Sequence, residues 1–223
     1  MTDKPLNAVE VRVLGALLEK ELTTPEYYPL TLNALTNACN QKNNRGPVVA
    51  FEEATVVRGL DGLRERKLVS TVTGAGIRVP KYKHGATEMF NLIRQESAIM
   101  CLLLLRGPQT IGEVRGRTAP MYHFEALQDL RSTIDGLIAN EHRQALVMKM
   151  PRQTGQKEVR YMHLLSGVPD VREPEETARP EIARLQVLAE NERIALLEVE
   201  VKSMKKTIEI LREQLATFKK QFE

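Results

Sequence analysis

The chain of 223 residues contains no tryptophan and only two cysteines, Cys39 and Cys101. Two cysteines exclude a disulfide framework and a four-cysteine zinc site. With only five phenylalanines and five tyrosines, the core must be mainly aliphatic. The longest apolar run, Ala98–Leu105, falls far short of the ~20 residues that cross a bilayer. These shortages exclude a membrane-spanning protein and a disulfide-stapled secreted domain.

An excess of one charge is also missing. The 32 basic and 29 acidic residues leave a net charge of +3, which by itself is too mild to indicate a nucleic-acid-binding protein. Charged residues interrupt the segment Met1–Leu22, which argues against a signal peptide. Together with the few cysteines, this predicts a cytoplasmic location.

The first part of the chain predicts three helices followed by a hairpin. Apolar residues at helical spacing predict a helix over Asn7–Leu22, with Asn7 as its N-cap. A short helix over Leu32–Cys39, capped by Thr31, and a third over Phe51–Lys67 follow. The β-branched residues on either side of Gly74-Ala75-Gly76 predict a β-hairpin that ends at Tyr82.

The second part repeats this order. Helices are predicted over Thr87–Leu105, Thr110–Arg117 and Phe124–Asn140, and strands over Ala145–Met150 and Glu158–Leu164. The string Leu60-Asp61-Gly62-Leu63 recurs as Ile134-Asp135-Gly136-Leu137, which indicates internal duplication. We therefore predict a mainly α protein with small β-hairpins (α+β), in which residues 1–85 and 86–167 form two tandem winged-helix domains.

Three strings resemble a known family. They are RVLGALLEK at 12–20, ELTTPEYYPLTLNALTNACNQKNNR at 21–45 and LLRGPQTIGEV at 104–114. They are similar to the YceH-like bacterial proteins, and the resemblance covers about residues 5–165. It implies two winged-helix domains in tandem, and it supplies no catalytic residue, cofactor or partner.

The first domain carries the features that suit DNA. The predicted outward face of its third helix mixes Arg58 and Arg66 with acidic residues, which counts against sequence reading. The approach to that helix and the hairpin are more basic, and protonated His84 would add to the hairpin's charge. The candidate phosphate contacts are Lys42, Arg45, Arg58, Arg66, Arg78, Lys81 and Lys83.

The third helix of the second domain is predicted to turn acidic residues outward. Glu125, Asp129 and Asp135 would repel phosphate, so we expect this helix not to read DNA.

The tail shows a heptad pattern. Residues 168–180 are acidic and contain prolines, as in a linker, whereas residues 181–223 contain neither glycine nor proline. A nearly continuous apolar seam of period 3.5 predicts a parallel dimeric coiled coil, although a helix folding back on its own domains remains an alternative. The candidate dimerisation residues are Val187, Ile194, Leu197, Val201, Met204, Ile208, Leu211, Leu215 and Phe218.

Signals for catalysis are weak. The histidines have no metal-ligand spacing, and both cysteines lie in apolar segments where they are expected to be core. We predict no enzyme activity, no cofactor and no metal. The sequence predicts a homodimeric, DNA-binding or regulatory protein; the alternative is a non-catalytic protein-interaction module that dimerises through its tail and binds no DNA.

Overall fold

The first half begins with a helix and ends in a three-stranded sheet. The computed structural model describes residues 5–74, 78–139, 144–152, 158–168 and Met204. In the first half, the elements in chain order are α1 (Ala8–Thr23), a 3-10 turn (Pro25–Tyr27), β1 (Leu30–Thr31), α2 (Leu32–Cys39), α3 (Glu53–Glu65), β2 (Val69–Val72) and β3 (Lys81–His84). The antiparallel sheet has the strand order β1-β3-β2. The three helices and the hairpin predicted for this half are confirmed.

The second half repeats the architecture. Its elements are α4 (Ala86–Met89), α5 (Arg94–Arg106), β4 (Gln109–Thr110), α6 (Ile111–Thr118), α7 (Leu127–Ile138), β5 (Val147–Lys149) and β6 (Arg160–His163). The strand order β4-β6-β5 matches that of the first sheet. Opposing residues match as well, because Thr31 faces Lys81 in the first sheet and Thr110 faces Arg160 in the second. The described residues thus form a mixed α and β protein with two small antiparallel sheets.

Side chains that close helix N-termini account for the helix starts. Asn7 Oδ1 accepts hydrogen bonds from the backbone N–H groups of Val9 and Glu10, and the Glu10 carboxylate accepts one from the N–H of Asn7. Thr110 and Glu113 form the same reciprocal box at α6. Such boxes satisfy donors that the helix itself leaves free. The capping roles predicted for Asn7 and Thr31 are confirmed.

The single helix predicted over Thr87–Leu105 is wrong. The structure breaks it into α4 and α5, with Asn91 between them at a φ of 46°. The side chains of Phe90 and Leu92, on either side of this turn, are both buried. Helical spacing alone did not reveal the break. Asn91 can form it because asparagine adopts the left-handed conformation more readily than most residues do.

One hydrophobic core runs through both halves, and it is centred on α1 and α5. The two helices pack closely at Gly15, where an added Cβ would lie 2.9 Å from Leu105 Cδ2. Cys39 and Cys101 are buried in this core, as predicted, and burial raises the pKa of the Cys39 thiol to about 12. The described residues from 5 to 168 therefore belong to one compact unit with two sheets.

Candidate nucleic-acid interface

The outer face of the first hairpin is basic. The β2–β3 register places Ser70 opposite Lys83 and Val72 opposite Lys81, so these four side chains share one face of the sheet. Val69 and its opposite residue on β3 lie on the other face and are buried in the core. Lys83 is exposed and Lys81 is half-buried. We call Lys81, Lys83 and the exposed Arg78 near the hairpin tip the hairpin cations.

The hairpin cations have no acidic partner within ion-pair distance among the residues that the structure describes. Lys83 also lines a cleft of about 380 Å³ at the base of the hairpin, where exposed Lys67 adds a second cation, Ser70 a hydroxyl and Glu88 one carboxylate. Cations without partners on an exposed strand face suit contact with phosphate, which requires charge but no base-specific geometry.

The second half provides an internal comparison for Lys81. Its counterpart by register is Arg160, and Nη1 of Arg160 lies 3.1 Å from Oε2 of Glu113. Glu113 is the third residue of α6, and the third residue of α2 is Ala34. The first half therefore lacks the carboxylate that neutralises the equivalent cation in the second half.

The exposed surface of α3 carries no excess of positive charge. Arg58 is exposed, and its guanidinium donates a 3.0 Å hydrogen bond to Thr55 Oγ1. Arg64 pairs with Asp61 at 3.3 Å, while Glu53 and Glu65 are also exposed. This surface can meet phosphate at isolated points, but it does not form a basic recognition surface.

Two of the predicted phosphate contacts are wrong. Arg45 is buried, and its Nη2 lies 2.6 Å from Oε2 of Glu19. Arg66 follows the last residue of α3 and turns back to Glu10, with Nη1 2.8 Å from Oε1. Each guanidinium is held by a carboxylate inside the protein, whereas Lys42 stays exposed in the loop between α2 and α3.

His84 is not on the surface of the hairpin, contrary to expectation. It is buried, and its Nε2 lies 2.7 Å from Oε2 of Glu21, an interaction that is the main cause of the lowered pKa of Glu21. The Tyr28 hydroxyl accepts a 2.7 Å hydrogen bond from the backbone N–H of His84. In the second half, burial lowers the pKa of the corresponding His163 to about 4. Both histidines therefore lie in the interior.

The acidic face predicted for the third helix of the second half is confirmed as exposed. Glu125, Gln128, Asp129, Ser132 and Asp135 are all exposed. Carboxylates at these positions would oppose a close approach to phosphate.

Of the predicted dimerisation residues, only Met204 is described, and it is exposed. Val187, Ile194, Leu197, Val201, Ile208, Leu211, Leu215 and Phe218 lie outside the described residues.

Among the residues that the structure describes, no group of three or more histidine, cysteine, aspartate or glutamate side chains is arranged to hold a metal ion. Within the same residues, no helix combines the length and apolar character needed to cross a membrane.

Fold and site together define a duplicated α and β protein whose first hairpin carries cations with no ion-pair partner among the described residues. Comparison with known families identifies it further: the chain belongs to the family described as "Protein of unknown function, DUF480", whose model matches residues 6–156. It is 53% identical to a UPF0502 protein of Geobacter sulfurreducens over 218 residues, or 98% of each chain. A UPF0502 protein of Opitutus terrae is 57% identical over 181 residues, or 80% of this chain and 78% of the relative. The predicted membership of a family without an established biochemical role is confirmed.

Proposed function

We propose that this is a non-catalytic tandem winged-helix protein whose first hairpin binds the phosphates of duplex DNA. The arrangement of each half supports the winged-helix interpretation: a long helix, a short strand, a short helix and a further helix lead into a hairpin whose last strand is central. The second half adds the four-residue α4 at its start. In such proteins the hairpin is the wing, and basic side chains on a wing contact the nucleic-acid backbone.

The observation that carries the proposal is the difference between the two halves. Lys81 is free of an acidic partner among the described residues, whereas Arg160 at the matching position is paired with Glu113. Since the folds correspond strand for strand, folding alone does not require a free cation at this position. Among the described residues, the first hairpin therefore retains at this position a positive charge that the second hairpin pairs with a carboxylate.

The same surface supports binding without strong sequence preference. The cations lie on the hairpin, whereas α3 offers balanced charge and few side chains that can read base edges. Phosphate contact provides affinity that depends on counterion release, so binding should weaken steeply with salt. Anisotropy of a labelled 30-base-pair duplex, titrated with the full chain at about 50 and about 200 mM KCl, tests this expectation. Absence of any binding at the lower salt concentration contradicts the proposal.

Ala34→Glu should weaken DNA binding while leaving the fold intact. It restores in the first half the carboxylate that Glu113 supplies in the second, where that side chain both caps the helix and neutralises Arg160. We expect the slope of log affinity against log salt to fall by about 1, because one phosphate contact is lost. Anisotropy at several salt concentrations measures that slope.

Ala34→Gln is the matched control for this prediction. Glutamine can complete the same capping box with Thr31 but carries no charge. Equal slopes for the glutamate and glutamine variants would contradict the role of Lys81.

We further propose that residues 181–223 pair two copies of the chain in a parallel coiled coil, an inference supported by the heptad pattern of the sequence. Leu197→Asp combined with Leu211→Asp places charge on the seam, so we expect the full chain to become monomeric at tens of micromolar. Sedimentation equilibrium measures the mass. Leu196→Asp combined with Ile210→Asp changes apolar residues off the seam and should leave the dimer intact. A monomeric wild-type chain at this concentration contradicts pairing.

A non-catalytic protein-interaction module is the second candidate. The exposed acidic face of α7, which suits a basic protein surface better than DNA, favours it. If the full chain fails to bind duplex DNA at low salt, this role replaces the first.

A further inference from the structure

A second basic surface lies where the two halves meet, away from the residues assigned to the hairpin. The loop of residues 40–46 lies against the end of α5, and the N–H of Gly46 donates a 2.8 Å hydrogen bond to the carbonyl of Leu105. This bond satisfies a carbonyl that the end of the helix leaves free. We call Lys20, Lys42, Arg106 and Arg117 the junction cations.

One of the hydrogen bonds made by these cations crosses the boundary between the halves. Lys20 Nζ donates a 3.4 Å hydrogen bond to Gln41 Oε1 in the loop. The Arg106 guanidinium donates to the side-chain oxygen of Asn44, which belongs to the same loop. Because residues of both halves share these contacts, the surface exists only when the halves are packed together.

Lys20, Arg106 and Arg117 donate hydrogen bonds to neutral amide oxygens. Arg117 donates to the side-chain oxygen of Gln109 and also lies 3.3 Å from Glu113, which already pairs with Arg160. Burial is the main cause of the lowered pKa of Arg106, the nearby Arg117 and Arg45 lower it further, and Glu113 and Glu19 oppose the shift. Arg106 therefore has both cations and carboxylates close to it.

Carboxylates are fewer than cations among these contacts. The acids in these contacts are Glu19, which serves buried Arg45 and lies 3.7 Å from Lys20, and Glu113, which serves Arg117 and Arg160. Arg106 and exposed Lys42 have no carboxylate within ion-pair distance among the described residues. An anion placed between them would meet Arg106, which the amide oxygen of Asn44 already orients, and the exposed ammonium of Lys42.

We infer that the junction cations form a second phosphate-binding surface for duplex DNA. The cations extend from α1 through the loop to the end of α5 and to α6 instead of converging on one cavity, which suits a ligand with repeated charges. Exposed Gln41 and Asn43 add neutral donors of the kind that contact sugar and phosphate. The inference rests on the proposed function for its choice of DNA as the ligand, but it depends on different residues.

The double variant Lys42→Gln with Arg106→Gln tests the surface. In the full chain, we expect the salt slope of affinity for the labelled 30-base-pair duplex to fall by about 2, since two phosphate contacts are removed. The control, Arg94→Gln with Arg131→Gln, removes two exposed cations of the second half that lie in neither basic surface. Its slope should stay close to that of the wild type.

The outcomes separate this inference from the proposed function. A junction variant that behaves like the control, while a hairpin variant loses binding, overturns the junction surface alone. The reverse pattern supports the junction surface and overturns the hairpin assignment, and a wild-type chain that binds no duplex overturns both. If the double variant fails to fold, Lys42→Gln alone decides, with an expected fall in slope of about 1, because this exposed side chain makes no described contact.

Discussion

Replacing Lys81 and Lys83 with glutamate is expected to abolish binding of duplex DNA. Each substitution reverses a charge on the outer face of the first hairpin, where wild-type lysines would meet phosphate. Lost counterion release and new repulsion act in the same direction, so affinity at about 50 mM KCl should fall by at least ~100-fold. Anisotropy of the labelled duplex measures the loss.

The second hairpin supplies the control. Lys149→Glu with Arg152→Glu makes the same charge change at two exposed positions on or beside β5. We expect at most about a tenfold loss from the altered net charge, since the proposed contacts are untouched. Circular dichroism should show a native helix content for both variants. Similar losses in the two would mean that overall charge, and not the first hairpin, governs binding.

Local sequence signals predicted the elements well because their causes are local. Asn7 and Thr31 mark helix starts, because their side chains accept hydrogen bonds from backbone N–H groups within four residues. The glycine of the first Asp-Gly string has a structural cause, because Gly62 leaves room for the Glu10 carboxylate. An added Cβ there would lie 2.1 Å from Glu10 Oε1, whereas at Gly136 it would lie 3.8 Å from Glu96 Oε1, which is an ordinary contact. In the first half the glycine is thus tied to packing between the first and third helices.

Strands β1 and β4 were missed for a physical reason. Each has two residues, which is too short for an alternating pattern to emerge. They exist because β3 and β6 offer hydrogen-bonding partners from far along the chain. No local signal marks such a strand.

The sequence also did not reveal which individual cations are buried and which are exposed. Arg45 and Lys42 occupy the same polar loop, yet one is buried and the other exposed. Arg45 and Lys42 differ because folding brings Glu19 next to Arg45. Aligning the two halves of the sequence places Glu113 at the position of Ala34, and this difference points to Arg160 and its neighbours.

Arg45→Met is expected to be the most destabilising of these substitutions, by about 3–5 kcal/mol in the free energy of unfolding. The Arg45 side chain is fully buried, and besides pairing with Glu19 it donates hydrogen bonds to the carbonyl of Ala38. Methionine fills much of the space but leaves the carboxylate of Glu19 without this partner. Urea denaturation of the full chain measures the change.

Two comparisons identify the cause of that loss. Lys42→Met places the same residue in the same loop at an exposed site and should shift stability by no more than about 0.5 kcal/mol. Glu19→Leu combined with Arg45→Met removes both charges, so it should recover much of the stability lost in Arg45→Met. If Arg45→Met instead unfolds like the wild type but binds DNA weakly, Arg45 is a phosphate contact after all. The buried pair with Glu19 requires the opposite result, because a guanidinium that anchors the loop affects DNA only through the fold.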